Sequence, residues 1–100
     1  MSTLFVVRLS AVPEGHARYL DGMRYPILLY IRADDEDQIW VPAAEQLTEC
    51  QWHEVQFERY GELQTPVAEI EDEVLRGAAE EASEEGFAFV VYDQAITSQQ

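Results

Sequence analysis

The residues that could do catalytic chemistry in this sequence are few and do not form a complete set. Cys50, the one cysteine, precedes His53 by three positions. A zinc site takes four such ligands, and no second Cys or His pair exists to supply the rest. Residues three apart on a strand also point to opposite faces of the sheet. We therefore expect no metal site and no catalytic cysteine here, and we interpret His16 as a loop residue.

The acidic run Asp34–Asp37 carries the carboxylate oxygens that calcium prefers. It lacks the alternate-residue spacing, the glycine and the distal glutamate of an EF-hand loop. The five glycines stand singly and lysine is absent, so the sequence has no phosphate-binding loop either. We predict no catalytic residues, no cofactor and no metal, and we interpret the run as a solvated turn. An acid/base enzyme that uses Glu54, Glu58 or His53 is a third hypothesis.

The charge composition excludes two classes of partner. The 100 residues include 20 Asp and Glu against six Arg, which gives a formal net charge of −14. Six scattered cations cannot form the basic stripe that neutralises the phosphates of DNA or RNA. The same deficit disfavours binding to an anionic membrane surface. We therefore expect neither nucleic acid nor membrane as a direct partner.

The rest of the composition predicts a folded intracellular domain. With 47 % hydrophobic residues, the chain lies outside the disordered range and can bury a core. One cysteine allows no disulfide within the chain, and the first residues have neither the basic segment nor the apolar run of a signal peptide. We expect a cytoplasmic protein of a bacterial host cell, since arginine without lysine is typical of a GC-rich bacterial or phage source.

Apolar patterning divides the chain into short strands and one long helix. Pro42 fits the first turn of a short helix that continues through Leu47. The segment His16–Arg24 is a helical turn or an ordered loop. A parity change between Trp52 and Val55 indicates a bulge or twist in the strand that contains them. β-branched and aromatic residues predict the strands, in chain order Leu4–Leu9, Ile27–Arg32, Gln38–Val41, Cys50–Tyr60 and Phe87–Tyr92.

The clearest predicted element is a helix over residues 66–85. Thr65 is the predicted N-cap, Pro66 the first helical residue and Gly86 the C-terminal glycine. Six apolar residues at helical spacing form one stripe that must pack on the sheet. They are Val67, Ile70, Val74, Leu75, Ala78 and Ala82.

These elements predict an α+β fold with a mostly antiparallel four- to five-stranded sheet, one long helix packed on a face and one short helix. Residues 1–93 form a single domain, and residues 94–100 form a polar C-terminal tail. Three of the strands are apolar on both faces, whereas one helix covers one face. The other face is closed by the loop Tyr19–Met23, by the short helix or by another chain. Homodimerisation is therefore a further expectation.

The predicted long helix concentrates the negative charge. It holds eight acidic residues against Arg76, which is half of the net charge of the chain. Four of them crowd its C-terminal end, where the helix dipole disfavours negative charge. The stability of the helix does not account for this pattern. Three explanations are left: solubility, adaptation to high salt and binding to a cationic partner.

Several carboxylates lie one helical turn apart, a spacing close to that of successive phosphates on a nucleic-acid strand. These pairs are Glu69/Glu73, Glu80/Glu84 and Glu81/Glu85. A compact, strongly acidic α+β domain of this size without a catalytic constellation resembles the small inhibitors of bacteriophages and mobile elements, anti-CRISPR proteins and other DNA mimics among them. It is also similar to acidic immunity proteins that block basic toxin nucleases. The resemblance implies competition with nucleic acid for a cationic groove.

We therefore predict a non-enzymatic acidic binding protein that occupies a basic site on a nuclease, a CRISPR surveillance complex or another nucleic-acid-handling protein. Trp40, Trp52 and Tyr60 are candidate anchors if exposed, and core residues otherwise. The alternative is a structural or adaptor subunit that homodimerises or packs in a larger complex through its apolar sheet face, its acidity serving solubility. The predicted partner-binding residues are Asp34, Asp35, Glu36, Asp37, Glu69, Asp72, Glu73, Glu80, Glu81, Glu84 and Glu85.

Overall fold

The computed structural model describes residues 3–92, which form one antiparallel sheet and two α-helices. The predicted α+β class is confirmed, with four strands among the described residues. Within residues 3–92, no helix is long and apolar enough to span a membrane. The predicted tail, residues 94–100, lies outside the described residues. The elements are β1 (Thr3–Pro13), β2 (Tyr25–Ala33), a 3-10 turn (Glu36–Gln38), α1 (Trp40–Glu49), β3 (Trp52–Glu62), a second 3-10 turn (Val67–Glu69), α2 (Glu73–Glu85) and β4 (Phe87–Val91).

The four strands lie in the order β3-β1-β2-β4, and all neighbours are antiparallel. One end of the sheet is where β1 starts and β2 finishes, because Thr3 pairs with Ala33. β3 also finishes at this end, and β4 starts there. We call it the acidic end, because Asp34–Asp37 follow β2 and Glu85 immediately precedes the turn into β4.

Elements of the chain itself pack on both faces of the sheet. On one face, α1 and Tyr19 pack over the inward residues of β1 and β2. On the other face, α2 packs through Ala78, Ala79 and Ala82 against Tyr30 of β2. The sequence left three candidates to close the second face of the sheet: the loop, the short helix and another chain. In the structure, the short helix and Tyr19 of the loop pack on that face.

The prediction of one long helix over residues 66–85 is wrong, because α2 begins seven residues later. Asp72, and not Thr65, is its N-cap. The Asp72 carboxylate accepts hydrogen bonds from the backbone N–H groups of Val74 and Leu75, at 2.9 and 3.1 Å. The described part of the chain thus has two short α-helices, one on each face of the sheet.

The break before α2 has a local cause. The segment Val67–Glu69 is a 3-10 turn, and Ile70 after it is extended, with φ −68° and ψ 123°. This path places the Val67 and Ile70 side chains on the apolar cluster beneath α2. The Arg76 guanidinium then donates a hydrogen bond to the Ile70 carbonyl at 2.7 Å, which satisfies a backbone group outside the helix. Gly86 ends α2 at φ 98°, as predicted.

The predicted strand Gln38–Val41 is also wrong, because this segment enters α1. Ile39, Ala43 and Leu47 are fully buried and recur every four residues. That spacing places them on one face of a helix, which packs on the sheet. Helical periodicity therefore begins before Pro42, which lies within the first turn of α1.

The bulge or twist predicted between Trp52 and Val55 is confirmed, because the pairing of β3 with β1 shifts near Glu54, whose φ is 52°. A further shift, which was not predicted, lies between Arg59 and Phe57 and leaves Glu58 without a partner residue on β1. Because Glu58 is an extra residue, Phe57 and Tyr60 face the same side of the sheet although they are three positions apart.

Candidate functional site

The acidic run Asp34–Asp37 forms an ordered turn at the acidic end. The Asp35 carboxylate accepts a hydrogen bond from the Asp37 N–H at 3.0 Å, and the Gln38 side-chain carbonyl accepts one from the Asp34 N–H at 3.1 Å. All four acidic side chains are exposed. The turn is solvated, as the sequence predicts, and its backbone conformation is held by these two bonds.

Three aromatic side chains lie beside this turn. The ring of Trp40 meets those of Phe57 and Tyr60 edge to face, with centroid distances of 5.0 and 4.9 Å. Phe57 is 37 % exposed and Tyr60 is 44 % exposed, while Trp40 is half-buried. The cluster is therefore accessible to a partner, which answers the question that the sequence left open for Trp40 and Tyr60.

The acidic turn lies next to this aromatic cluster. The Glu36 carboxylate raises the pKa of Tyr60, chiefly as a hydrogen-bond acceptor for the phenol and also through its charge, to which Asp37 adds. We call Glu36, Asp37, Trp40, Phe57 and Tyr60 the acid–aromatic patch. Carboxylates beside exposed rings suit a guanidinium or ammonium group, which both the carboxylate charge and the ring face attract.

A second acidic surface lies in the last two turns of α2. Arg32, near the end of β2, donates a hydrogen bond to the Ser83 carbonyl and so ties this part of α2 to the acidic end. No basic residue stands in the last turn of the helix. The acidic side chains are exposed and form two pairs one helical turn apart, as predicted. They are Glu80, Glu81, Glu84 and Glu85.

Three predicted partner-binding residues lie elsewhere. Glu69 ends a 3-10 turn, Asp72 caps α2 and Glu73 is the first helical residue, at the opposite end of α2 from Glu85. Glu69 and Glu73 do not share a helix, so the one-turn spacing predicted for this pair is wrong. Asp72 is already occupied in capping. These three residues do not extend the surface at the acidic end.

The remaining candidates lie at the other end of the sheet. Trp52 is 1 % exposed and is a core residue. His16 Nε2 lies 2.8 Å from the Cys50 carbonyl oxygen, and His53 Nε2 lies 3.0 Å from a carboxylate oxygen of Glu14, so Cys50 and His53 contact different groups. Among the described residues, no three His, Cys, Asp or Glu side chains converge in a way that could hold a metal.

Sequence reasoning missed Phe57 as a surface residue. Strict alternation along a strand places residues 57 and 60 on opposite faces, so an exposed pair was not expected. The signal that could have revealed it is the same parity change that predicted a bulge, had it been applied to residues 57–60 as well.

Comparisons of the chain with protein-family models, with curated proteins and with solved structures find no match. The fold defines an α+β protein with a helix on each face of its sheet. The resemblance to acidic inhibitors and DNA mimics stays a prediction from the sequence.

Proposed function

We propose that this protein binds a cationic site on a partner protein and blocks it, without catalysing a reaction. The observation that carries the proposal is the position of the Trp40, Phe57 and Tyr60 rings, two of them exposed, beside the acidic turn, whose Glu36 raises the pKa of Tyr60. It joins rings and carboxylates into one patch, so a single arginine or lysine side chain can contact both. An acidic surface that serves solubility alone has no need of exposed rings.

The energetics of such a contact favour a defined site over diffuse attraction. A cation over an aromatic ring contributes about 0.5–1 kcal/mol at an exposed site and about 2 kcal/mol when desolvated. Interface free energy concentrates in aromatic and arginine residues, so Trp40, Phe57 and Tyr60 would act as anchors. The surrounding carboxylates would speed association and set its salt dependence.

The glutamate pairs of α2 support a particular class of partner. Carboxylates at this spacing, close to the acidic turn, can displace the counterions of a groove that otherwise holds nucleic acid. We infer that the partner is a nucleic-acid-handling protein such as a nuclease or a CRISPR surveillance complex. The protein would then act as an inhibitor in a bacterial cytoplasm, in the manner of anti-CRISPR proteins and other DNA mimics.

A second candidate function is that of an adaptor subunit, favoured by the edge strand β3. This strand is eleven residues long, lies at the margin of the sheet and carries the exposed Phe57 and Tyr60. Such an edge can pair with a second copy or with another subunit. A homodimer that sediments identically at two salt concentrations and ignores basic proteins would favour this function over inhibition.

Affinity capture from a bacterial lysate at low salt tests the inhibitor proposal. The baits are the wild type, the double variant Glu36→Gln/Asp37→Asn and the control Glu45→Gln/Glu49→Gln. The control makes the same charge change at exposed residues of α1 outside the patch. We expect the wild type and the control to retain the same salt-eluted, nucleic-acid-handling proteins, identified by mass spectrometry, and the patch variant to lose them. Equal loss in both variants would contradict a defined site.

A further variant tests the role of α2. Changing its last four glutamates, Glu80, Glu81, Glu84 and Glu85, to Lys reverses the charge of that surface. We expect weaker capture and a shallower dependence on salt, because fewer counterions are released. Unchanged capture would remove α2 from the binding surface and leave the acid–aromatic patch alone.

A further inference from the structure

Two of the six arginines face each other on the sheet face that α2 covers in part. Arg8 of β1 pairs in register with Arg59 of β3, and Leu28 of β2 is the opposite neighbour of Arg8. α2 packs on β2 and β4 and leaves this part of the face open. Both arginines are exposed. Like charges directly opposite on neighbouring strands destabilise a sheet, so the arrangement needs an explanation.

The other four arginines each contact an acceptor group or a ring of the chain, whereas this pair does not in the described part of the chain. Arg24 contacts the Glu54 carboxylate at 3.7 Å, Arg32 and Arg76 donate to backbone carbonyls, and Arg18 lies over the Tyr19 ring. Within residues 3–92, neither guanidinium of the cross-strand pair has an ion pair or a hydrogen bond. With 20 acidic residues in the sequence, this lack of a carboxylate partner is unexpected on composition alone.

The arginine pair borders an open groove of about 350 Å³. Its apolar and aromatic surface comes from Val6, Leu28 and Tyr92. The groove is also lined by Tyr60 and Glu62. Gly61 contributes space, because a Cβ built on it meets no atom within 4 Å. The groove is thus lined by two positively charged residues next to apolar surface.

We propose that this groove binds a small organic anion, a carboxylate or a phosphate monoester with an aromatic or apolar body. Two neighbouring guanidinium groups can bond the oxygens of one anionic group, and the ring of Tyr92 and the Val6 and Leu28 side chains can cover its body. The net charge of −14 repels a polyanion far more strongly than a ligand of one or two charges, which argues for a small ligand over nucleic acid or an anionic membrane.

Titration with benzoate and with phenyl phosphate, followed by amide chemical shifts, tests the site. The two probes separate the carboxylate and phosphate forms of the ligand. Wild type should bind at least one of them saturably, with shifts centred on Val6, Leu28 and Gly61. Arg8→Gln and Arg59→Gln should each weaken that binding at least tenfold, the loss of one charge-assisted contact. Arg18→Gln, the same charge change in the loop before β2, should bind as the wild type does.

A variant that keeps both arginines separates the groove from general charge attraction. Gly61→Val places a side chain in the open space without altering the charge, and it should weaken binding while leaving the fold intact. The proposal is overturned if the wild type shows no saturable shift with either probe, or if Arg18→Gln weakens binding as much as Arg59→Gln. Binding of an acidic peptide but of neither probe would also overturn it, in favour of a protein-docking surface.

Discussion

Replacing Asp72 by Ala should destabilise the protein far more than replacing Thr65 by Ala. The structure gives Asp72 two hydrogen bonds to the first N–H groups of α2, at 2.9 and 3.1 Å. The sequence alone assigned that capping role to Thr65, which is exposed and seven residues earlier. The two substitutions therefore distinguish a helix that begins at residue 73 from one that begins at residue 66.

The magnitude follows from the two interactions that Asp72→Ala removes. Loss of an N-cap costs about 1 kcal/mol, and loss of a negative charge at a helix N-terminus costs about 0.5 kcal/mol. For a chain of this size, the resulting loss of about 1.5 kcal/mol lowers Tm by about 7 °C. Thr65→Ala changes an exposed residue and should lower Tm by less than about 2 °C.

Asp72→Ser is the control for net charge, because it removes the same carboxylate and retains a capping oxygen. Its Tm should fall by about 2 °C, so the difference from Asp72→Ala isolates the cap. Thermal unfolding followed by circular dichroism measures all three variants. A larger loss for Thr65→Ala than for Asp72→Ala would refute the helix boundary, and with it the separation of Glu69 from α2.

Four other substitutions test local features. Glu36→Gln should lower the pKa of Tyr60, because the Glu36 carboxylate raises that pKa as a hydrogen-bond acceptor and through its charge. An unaltered pKa in an NMR titration would argue against the position of Glu36 beside Tyr60. Trp52→Ala, at 1 % exposure, should cost about 3–5 kcal/mol in urea denaturation, and a cost below about 1 kcal/mol would contradict its burial. Gly86→Ala should destabilise the protein by about 1 kcal/mol, because residue 86 has a φ of 98°. Gly77→Ala, inside α2, should stabilise it by about 0.5–1 kcal/mol. A change of the same sign in both variants would contradict Gly86 as the C-cap.

The fold class was predictable because apolar residues in β1, β2 and β4 occur at both parities, and such strands require cover on two faces. The helix boundaries were not. Val67 and Ile70 have helical spacing, yet a 3-10 turn and an extended residue place the same side chains on the core. Apolar spacing alone does not distinguish these two paths, because both bury the same residues.

The site was predictable in its charges but not in its arrangement. The acidic turn is visible in the sequence, whereas its contact with Tyr60 depends on the register of β3 with β1 and on the extra residue Glu58. The pairing of Arg8 with Arg59 depends on that same register. Long-range strand pairing is not encoded in any local pattern, so both features required the structure.

The most direct test of a cation-binding patch is a titration of the ¹⁵N-labelled protein with a short arginine-rich peptide at low salt. The two tryptophans serve as internal probes, because Trp40 belongs to the patch and Trp52 is buried at the other end of the sheet. We predict saturable shifts of the Trp40 indole and of the Phe57 and Tyr60 amides, with the Trp52 indole unmoved. Shifts spread evenly over all acidic surfaces, with Trp40 unaffected, would contradict the proposal.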